Sequence, residues 1–357
     1  MSGKYEHMVD LNDFTPERWN KVVDLAIDIY KHPDIYAGAC KNKILATLFY
    51  EPSTRTQMSF QTAMIKLGGS IIGFDNPQNS SVVKGENLTD TIRIVSGYAD
   101  ILAMRHPLEG AAKAAAMYAD CPVINAGDGG HLHPTQTLTD LVTMKCEIGR
   151  LDNLVIGLCG DLVNGRTVHS LVKAMVAYEN IRFVLISTPE LAMPRYIKDI
   201  MDANGCQYTE VFSLEEAIPE LDVLYMTRIQ KERFASEEEY LAQKDVYVLD
   251  TDKIFHAKKS LKVMHPLPRI DEIDMAIDDD ERAIYFKQAK YGVYARMALI
   301  LTLLHSEPTY NLIKGTDTGY KCTNPRCITN QEHYLKHYNI ENGDLQICEY
   351  CDSRQLI

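Results

Sequence analysis

The 357-residue chain contains 46% hydrophobic residues and carries a formal net charge of −12. A chain of this length can bury more than one hydrophobic core, so we expect two domains and a small appendage. The excess of acidic residues disfavours nucleic acid or an anionic membrane surface as the main partner. Residues 1–14 contain no apolar leader, and the apolar run at residues 297–304 is too short to span a bilayer. The sequence therefore predicts a soluble, cytoplasmic protein without a membrane partner.

A strand, a turn and a helix are predicted between residues 44 and 67. Residues 44–50 form an apolar run rich in β-branched and aromatic side chains, which favours a buried strand. The turn Ser53-Thr54-Arg55-Thr56 follows, and apolar residues at helical spacing come after it. Backbone N–H groups at a helix N-terminus lack intrahelical acceptors and lie at the positive end of the helix dipole. With three hydroxyl groups and a guanidinium added, the turn is typical of a phosphate site, although an N-cap beside a solvated arginine is the alternative.

Strands and helices alternate along the chain. The predicted strands lie at residues 44–50, 70–74, 101–104, 123–124, 154–159, 183–186, 223–226 and 262–264. The predicted helices include one over residues 5–37 with Thr15-Pro16-Glu17 as its start signal, one near residues 88–98 and a last one over residues 284–304. This alternation predicts parallel sheets that helices cover on both faces. The fold class is therefore α/β, with two doubly wound parallel-sheet domains.

Five arginines follow predicted strands, and ligands of such sheets gather at the carboxyl ends of the strands. They are Arg55, Arg105, Arg166, Arg228 and Arg269. In a chain of net charge −12, this placement predicts a pocket for a polyanion rather than five separate rim charges. His133 lies between a flexible glycine-rich turn, residues 125–130, and Pro134, which favours a role in the site. His265 is the weaker candidate.

Six motifs give the chain a resemblance to the aspartate and ornithine carbamoyltransferases from about residue 5 to residue 306. In order, they are S-T-R-T, M-R-H-P, H-P-T-Q-T, G-R-T-V-H-S, T-R-I-Q-K-E-R and H-P-L-P-R. H-P-L-P in place of H-C-L-P resembles the aspartate branch of this family. The resemblance implies a carbamoyl-phosphate-binding domain at residues 1–133, to which residues 288–306 return, and an aspartate-binding domain at residues 134–287. It also implies a homotrimer, or a multiple of it, that transfers a carbamoyl group from carbamoyl phosphate to L-aspartate in de novo pyrimidine synthesis.

The resemblance further implies a role for each matching residue. Those implied to bind carbamoyl phosphate are Ser53, Thr54, Arg55, Thr56, Arg105, His133, Gln136, Pro266 and Leu267, with Ser80 and Lys84 reaching the site of a neighbouring subunit. Of these, the implied catalytic residues are Arg55, Thr56, Arg105 and His133. Those implied to bind the aspartate carboxylates are Arg166, Arg228 and Gln230. Fixed donors and cations would stabilise the charge that grows on the carbonyl oxygen, so no cofactor is expected for catalysis.

Two positions depart from the family pattern. Gln57 stands where these enzymes often carry a second arginine, which leaves its effect on phosphate binding open. His131-Leu132 replaces the usual polar pair before H-P-T-Q. Lys84 has an alternative interpretation from the residues alone, as a solvated loop lysine.

Four of the nine cysteines crowd near the C-terminus. Cys322-x4-Cys327 and Cys348-x2-Cys351 are separated by 20 residues, which is a four-cysteine zinc pattern. Four reduced thiols are one alternative, and a nucleic-acid-binding ribbon is another, which the four Lys/Arg against six Asp/Glu in residues 316–357 disfavour. The pattern resembles the zinc domain of the regulatory chain that accompanies some members of the aspartate branch. We expect a linker at residues 307–319 and a zinc-binding C-terminal segment at residues 320–357, with about one structural zinc ion per chain and a role in assembly.

Two other functions stay open from the residues alone. One is carbamoyl transfer to another amino acid, against which Arg166, Arg228 and the H-P-L-P motif weigh. The other is a non-catalytic family member that binds partners through its zinc segment. The presence of Arg55, Arg105 and His133 weighs against that function.

Overall fold

A computed structural model describes residues 5–230, 234, 236–243, 246–306 and 312–356. Contacts divide the chain into two compact units. Unit 1 is formed by Met1–Thr135 with Val293–Ile357, and unit 2 by Gln136–Gly292. The finer limits stated above, including a separate linker, stay a prediction. Within the described part of the chain, no helix is both long enough and apolar enough to cross a membrane.

Unit 1 contains a parallel sheet of four strands. The strands are β1 (Ile44–Phe49), β2 (Ser70–Phe74), β3 (Ile101–His106) and β4 (Val123–Asp128). Their order across the sheet is β2-β1-β3-β4. The helices up to residue 148 are α1 (Pro16–Lys31), α2 (Thr54–Lys66), α3 (Leu88–Ser96), α4 (Ala111–Ala116) and α5 (Pro134–Ile148). β1, β3 and β4 are buried over almost their whole length, as expected of parallel strands covered on both faces.

The α-helix α1 is shorter than the helix predicted over residues 5–37, but it begins at the predicted start signal. α2 begins at the S-T-R-T turn. The hydroxyl of Thr15 caps α1 by accepting a 3.3 Å hydrogen bond from the backbone N–H of Arg18, and Pro16 occupies the first helical position. Ser53 is the N-cap of α2, but its side chain makes no capping hydrogen bond. The N-terminus of α2 therefore keeps backbone N–H groups that no side-chain cap satisfies.

β4 is longer than the sequence predicts. The expected flexible turn at residues 125–130 is wrong in its first part, because β4 continues to Asp128 and is buried throughout. Asn125 is satisfied inside the fold: its Nδ2 donates to Val9 O at 3.1 Å and to Asp128 Oδ1 at 3.0 Å, and its Oδ1 accepts from Gly127 N at 2.8 Å. Its backbone N–H donates to Met8 O at 2.8 Å. Polar residues that signal a turn are thus held in a strand by partners from the start of the chain.

Unit 2 contains a parallel sheet of five strands. The strands are β5 (Val155–Cys159), β6 (Arg182–Ile186), β7 (Gln207–Val211), β8 (Val223–Met226) and β9 (Lys262–Met264). Their order is β7-β6-β5-β8-β9. The helices after residue 160 are α6 (Arg166–Met175), α7 (Arg195–Ala203), α8 (Leu214–Ala217), α9 (Glu237–Gln243), α10 (Thr251–Phe255) and α11 (Tyr285–Leu304). The prediction of an α/β fold with two parallel-sheet domains is confirmed.

The C-terminal segment contains a small antiparallel sheet and belongs to unit 1. Its strands are β10 (Thr316–Asp317), β11 (Tyr338–Asn342), β12 (Leu345–Cys348) and β13 (Arg354–Leu356), paired in this order. Ile328, Leu335 and Tyr350 are buried in the same hydrophobic cluster as the alanines of α4. The backbone of Glu109 pairs with the segment as well, donating to Arg326 O and accepting from Ile328 N, each at 2.9 Å.

Candidate active site and metal site

The carboxyl ends of β1, β3 and β4 bring several predicted site residues to one edge of the unit 1 sheet. Phe49, the last residue of β1, is the register partner of Arg105, and Tyr50 N donates to Arg105 O at 2.8 Å. Arg105 therefore lies within β3 rather than just past it, which corrects the sequence prediction. On the other side of β3, Met104 is the register partner of Asn125 in β4.

The guanidinium of Arg105 is held in a fixed orientation. The side chain is buried, and its Nε and Nη2 donate to Glu51 Oε1 at 3.1 and 2.5 Å. Nη1 donates to Ala126 O at 3.4 Å. These bonds use three of the five N–H groups of a guanidinium, so a ligand can still accept from the other two. An oriented, partly neutralised cation of this kind suits an anionic or carbonyl oxygen.

His133 lies beside Arg105, across Gly127. A Cβ on Gly127, whose φ is +122°, would lie 3.0 Å from Arg105 Nη1 and 3.6 Å from His133 Cδ2. His133 is 6% exposed, and its Nδ1 lies 3.4 Å from Thr135 Oγ1. Glycine at residue 127 thus lets two predicted site residues approach from adjacent segments.

The N-terminus of α2 presents the S-T-R-T turn. Thr54 and Arg55 are exposed, and Ser53 and Thr56 are half-buried. Within the described ranges, the Arg55 guanidinium makes no hydrogen bond or ion pair with another side chain. Backbone N–H groups, hydroxyls and a guanidinium at the start of a 13-residue helix together suit a phosphate group.

Gln57 makes a hydrogen bond inside the fold. Its Nε2 donates to Phe74 O, the carbonyl at the end of β2, at 3.2 Å. The amide therefore joins α2 to the end of β2.

Ser80 and Lys84 lie on the segment between β2 and α3. Ser80 Oγ donates to Pro77 O at 2.7 Å and caps the 3-10 helix Ser81–Lys84. Lys84 is exposed, and no described residue of its own chain pairs with its ammonium group. The structure thus shows no contact from Lys84 to Arg55 or His133 among the residues it describes.

In unit 2, the residues predicted to bind aspartate lie after two adjacent strands. Arg166 is the first residue of α6, which follows β5, and Arg228 follows β8. Gln230 Nε2 donates to Asn164 O at 3.2 Å, which brings the loop after β8 to the loop that leads into α6. Arg166 and Arg228 are both half-buried.

A buried carboxylate that sequence reasoning missed, Asp140, organises the other predicted residues of unit 2. Its Oδ1 accepts from Gln136 Nε2 at 2.8 Å and from Gln288 Nε2 at 2.7 Å, and its Oδ2 accepts from the Tyr225 hydroxyl at 2.9 Å. Burial and the Asp140 carboxylate raise the pKa of Tyr225 well above its usual value, so the phenol stays a donor. Gln288 Oε1 accepts from His265 N at 2.9 Å. The i, i+4 spacing of Gln136 and Asp140 was the signal available in the sequence.

His265 shapes the loop that carries Pro266 and Leu267. Its Nδ1 accepts from Leu267 N at 2.8 Å, so Nε2 carries the proton and donates to Glu272 Oε1 at 2.7 Å. Burial opposes the charge on Glu272, but the bond from His265 outweighs it and the pKa of Glu272 is lowered. Leu267 has a φ of +56°, and its peptide bond to Pro268 is cis. These contacts direct the backbone of the two residues whose carbonyls the resemblance assigns to substrate.

Arg269 does not share the role predicted for the other arginines. Both of its Nη atoms donate to the Asp278 carboxylate, and Nη1 also donates to the Tyr285 hydroxyl at 2.9 Å. The bond from Arg269 lowers the pKa of Asp278, so the pair is charged and internally neutralised. The predicted set of five anion-binding arginines is therefore wrong for Arg269, which is a structural ion pair.

The four C-terminal cysteines form one buried cluster. The Sγ atoms of Cys322, Cys327, Cys348 and Cys351 all lie within 4.8 Å of one another, with Cys322 and Cys351 at 3.5 Å and Cys327 and Cys348 at 3.8 Å. A disulfide needs about 2.05 Å, whereas a tetrahedral metal with bonds of about 2.3 Å separates its sulfurs by about 3.8 Å. Asn324 N donates to Cys322 Sγ at 3.4 Å, as expected around a thiolate. The cluster fits a tetrahedral metal ion.

Three family models match the chain. "Aspartate/ornithine carbamoyltransferase, carbamoyl-P binding domain" matches residues 6–146, and "Aspartate/ornithine carbamoyltransferase, Asp/Orn binding domain" matches residues 152–303. "Aspartate carbamoyltransferase regulatory chain, metal binding domain" matches residues 313–355.

Curated relatives and solved structures resemble the chain over the first two of these regions. The aspartate carbamoyltransferase catalytic subunit of Clostridium perfringens is 58% identical over 302 residues, which are 84% of this chain and 98% of the relative. The structure of the M. jannaschii aspartate transcarbamoylase catalytic subunit has a TM-score of 0.80 and 46% identity, covering 84% of this chain and 98% of that one. Aspartate transcarbamoylase from Trypanosoma cruzi, in complex with carbamoyl phosphate and aspartate, has a TM-score of 0.78 and 37% identity, covering 84% and 97%.

Proposed function

Because the chain belongs to the aspartate/ornithine carbamoyltransferase family, we propose that it is an aspartate carbamoyltransferase. It transfers the carbamoyl group of carbamoyl phosphate to the amine of L-aspartate, giving N-carbamoyl-L-aspartate and phosphate. The observation that carries this proposal is the meeting of Arg105 and His133 across Gly127, at the sheet edge from which α2 presents Arg55.

In this proposal, unit 1 binds carbamoyl phosphate. The phosphate group lies at the N-terminus of α2, where Ser53, Thr54 and Arg55 donate hydrogen bonds to its oxygens. Thr56, Arg105 and His133 donate to the carbonyl oxygen of the carbamoyl group. The Glu51 carboxylate keeps the Arg105 guanidinium in place, so the donors are oriented before the substrate arrives.

Unit 2 supplies the residues proposed for the second substrate. Arg166, Arg228 and Gln230 bind the two carboxylates of aspartate, since guanidinium groups bind carboxylates in a bidentate manner. Gln136, held by Asp140, and the carbonyls of Pro266 and Leu267 orient the amino group of the carbamoyl moiety. These last three residues are proposed from the resemblance, and the hydrogen bonds to Asp140 and His265 support it.

The reaction needs no side-chain nucleophile. The amine of aspartate attacks the carbamoyl carbon, a C–N bond forms, and negative charge grows on the carbonyl oxygen. Arg105 and His133 stabilise that charge. The bond from carbon to the phosphate oxygen then breaks, and the leaving phosphate accepts the proton that the amine loses.

We further propose that the C-terminal segment binds about one structural zinc ion through Cys322, Cys327, Cys348 and Cys351. Four thiolates would enclose the ion and would stabilise a sheet whose strands are too short to form a core of their own. All nine cysteines are free of disulfides, which supports a reducing, cytoplasmic location. A homotrimer, or a multiple of it, acting in pyrimidine synthesis completes the proposal.

The test is a phosphate-release assay with carbamoyl phosphate and a panel of amino acids. We expect turnover with L-aspartate and little with L-ornithine. Arg55→Ala should lower kcat/KM by about 10²-fold or more, because a charge that faces the phosphate is lost. Lys66→Ala removes an exposed cation at the other end of α2 and should leave activity unchanged.

Two other results would replace the proposal. Turnover with a different amino acid would mean a carbamoyltransferase of other specificity. Absence of turnover in folded protein that binds metal would favour a non-catalytic member that acts through the C-terminal segment. The 58% identity to a catalytic subunit disfavours both.

A further inference from the structure

The loop that carries His133, residues 128–133, is fixed at its start by a buried carboxylate. We name it the His133 loop. Asp128 Oδ1 accepts from Leu132 N at 3.0 Å, and Asp128 Oδ2 accepts from Gly110 N at 2.8 Å. The backbones of Asp128 and Leu132 also pair, with Asp128 N donating to Leu132 O at 3.2 Å. Leu132, the residue before His133, is therefore held by hydrogen bonds to Asp128.

His131 links this carboxylate to a second one. Its Nδ1 lies 3.0 Å from Asp128 Oδ2, and its Nε2 lies 3.3 Å from Asp352 Oδ2. The imidazole is only 9% exposed. Burial alone would lower the pKa of His131, but the two carboxylates outweigh it and hold that pKa well above its usual value. The imidazole therefore lies between a carboxylate at the start of the His133 loop and a carboxylate of the C-terminal segment.

Asp352 belongs to the C-terminal segment and is placed by the fold of that segment. It follows Cys351 directly, has a φ of +58°, and its N–H donates to Cys348 O at 3.0 Å. The backbone of Asp352 is therefore held by the turn that carries Cys348 and Cys351. Glu109 makes a parallel connection: its Oε2 accepts from Asn324 Nδ2 at 2.6 Å and its Oε1 from Gly130 N at 3.3 Å.

We propose that His131 is a positioning residue for the transferase reaction, through which Asp352 of the C-terminal segment fixes the His133 loop and thereby the catalytic His133. The proposal rests on the function proposed above for His133. His131 is also one of the positions at which the chain departs from the family pattern. A chain that carries its own metal-binding segment can place a partner for that histidine on the same polypeptide.

The test compares three variants of the full-length, zinc-loaded protein. Asp352→Asn removes the charge of the partner, and His131→Gln removes the imidazole while keeping a donor toward Asp128. Asp344→Asn is the matched control, because Asp344 is an exposed aspartate of the same segment. Each protein is measured for kcat, for KM of both substrates, for zinc content, and for hydrogen exchange of the amides in residues 129–133.

We expect Asp352→Asn and His131→Gln each to lower kcat by about tenfold, with both KM values within about threefold of the parent. Amide exchange in the His133 loop should rise several-fold, while zinc content stays at the parent value. The double variant should lose no more than either single variant, because both act through one contact. Asp352→Glu should restore part of the lost kcat, and Asp344→Asn should match the parent.

Several results would overturn the proposal. Unchanged kcat and unchanged loop exchange in zinc-loaded His131→Gln would do so, and so would additive losses in the double variant. If Asp352→Asn lost zinc, the His131→Gln protein would still test the proposal, because residue 131 lies outside the metal-binding C-terminal segment. If the parent showed no carbamoyl transfer, the proposed function would fail, and loop exchange would test the contact by itself.

Discussion

Gly110 and Tyr350 approach so closely that residue 110 has no room for a side chain. A Cβ on Gly110 would lie 2.5 Å from Tyr350 Cβ and 2.6 Å from the Tyr350 carbonyl oxygen. Gly110 is the N-cap of α4 with a φ of +81°, and Tyr350 is 1% exposed in the C-terminal segment. The segment thus packs directly on the start of α4. The backbone N–H of Gly110, at the same place, donates a hydrogen bond to Asp128 Oδ2.

The first prediction is that Gly110→Ala detaches the C-terminal segment from the rest of unit 1. The positive φ alone costs an alanine about 1–2 kcal/mol, and the contact with the backbone of Tyr350 adds to it. Gly149→Ala is the matched control, because Gly149 has a φ of +85° but no atom within 4 Å of the added Cβ. Limited proteolysis should cleave the segment of Gly110→Ala much faster than that of Gly149→Ala. Equal cleavage of the two proteins would contradict the prediction.

The second prediction concerns metal binding by the cysteine cluster. The purified parent should contain about one zinc per chain, and Cys351→Ser should lose most of it. Cys206→Ser changes a half-buried cysteine outside the cluster and should keep the parent's zinc content. Because the proposed chemistry needs no metal, Cys351→Ser should retain a reduced but measurable carbamoyl transfer. Metal analysis that finds no zinc in the parent would refute the assignment.

The alternation of strands and helices could be predicted because buried parallel strands are continuous apolar runs. β8 and β9 have the bounds that the sequence indicates. β7 could not be predicted in this way, since it is an edge strand in which Gln207, Thr209 and Glu210 are polar and exposed. The helix α4 was missed because its six residues are five alanines and a lysine, which carry no amphipathic pattern.

The candidate site was predictable where short motifs place the residues, and less so where the partner lies far along the chain. The α2 turn needed only local sequence. The ion pair of Arg105 with Glu51 joins residues 54 positions apart, and Tyr225 reaches Asp140 over 85 positions. The pairing of Arg269 with Asp278 is near in sequence, but nothing in the residues distinguishes a paired arginine from a ligand-binding one. The positions of the arginines in the sequence thus indicated which strand ends contribute to the site. They did not indicate which arginines are already paired with a carboxylate of the same chain.

The third prediction concerns acid stability and His7. Its Nδ1 accepts from Val123 N at 3.1 Å, and burial lowers the pKa of His7 from 6.5 to about 4. Between these values the unfolded chain binds a proton that the folded chain does not, so the free energy of unfolding falls as the pH falls. From pH 7 to pH 5 this group should cost unit 1 about 1–2 kcal/mol.

Denaturant unfolding at both pH values checks this, followed by the fluorescence of Trp19, the single tryptophan, which is buried in unit 1. In His7→Asn the amide oxygen can still accept from Val123 N but does not titrate. The stability difference between pH 7 and pH 5 should shrink in this variant. His32→Asn, at a largely exposed histidine, should keep the parent's difference. A parent-like difference in His7→Asn would show that another group is responsible.

The last prediction is that each active site is shared between two chains. Lys84 is exposed on a polar segment and has no partner among the described residues of its own chain, although a polyanion site needs cations. By resemblance, its ammonium group adds to the phosphate site of a neighbouring subunit. One surface of a chain meeting a different surface of the next is a heterologous contact, which closes most simply into a ring of three.

The consequence can be calculated. Arg55→Ala and Lys84→Ala proteins should each be nearly inactive when assembled alone. If they are mixed in equal amounts, unfolded and reassembled, half of the chains supply Arg55 and half of their neighbours supply Lys84. About a quarter of the sites then contain both parent residues, so activity should rise toward about a quarter of the parent value. Lys41→Ala, at another exposed lysine of unit 1, takes the place of Lys84→Ala in the control mixture; since every neighbour then keeps Lys84, that mixture should reach about half. No recovery in hybrid trimers confirmed by mass would place Lys84 outside the neighbour's site.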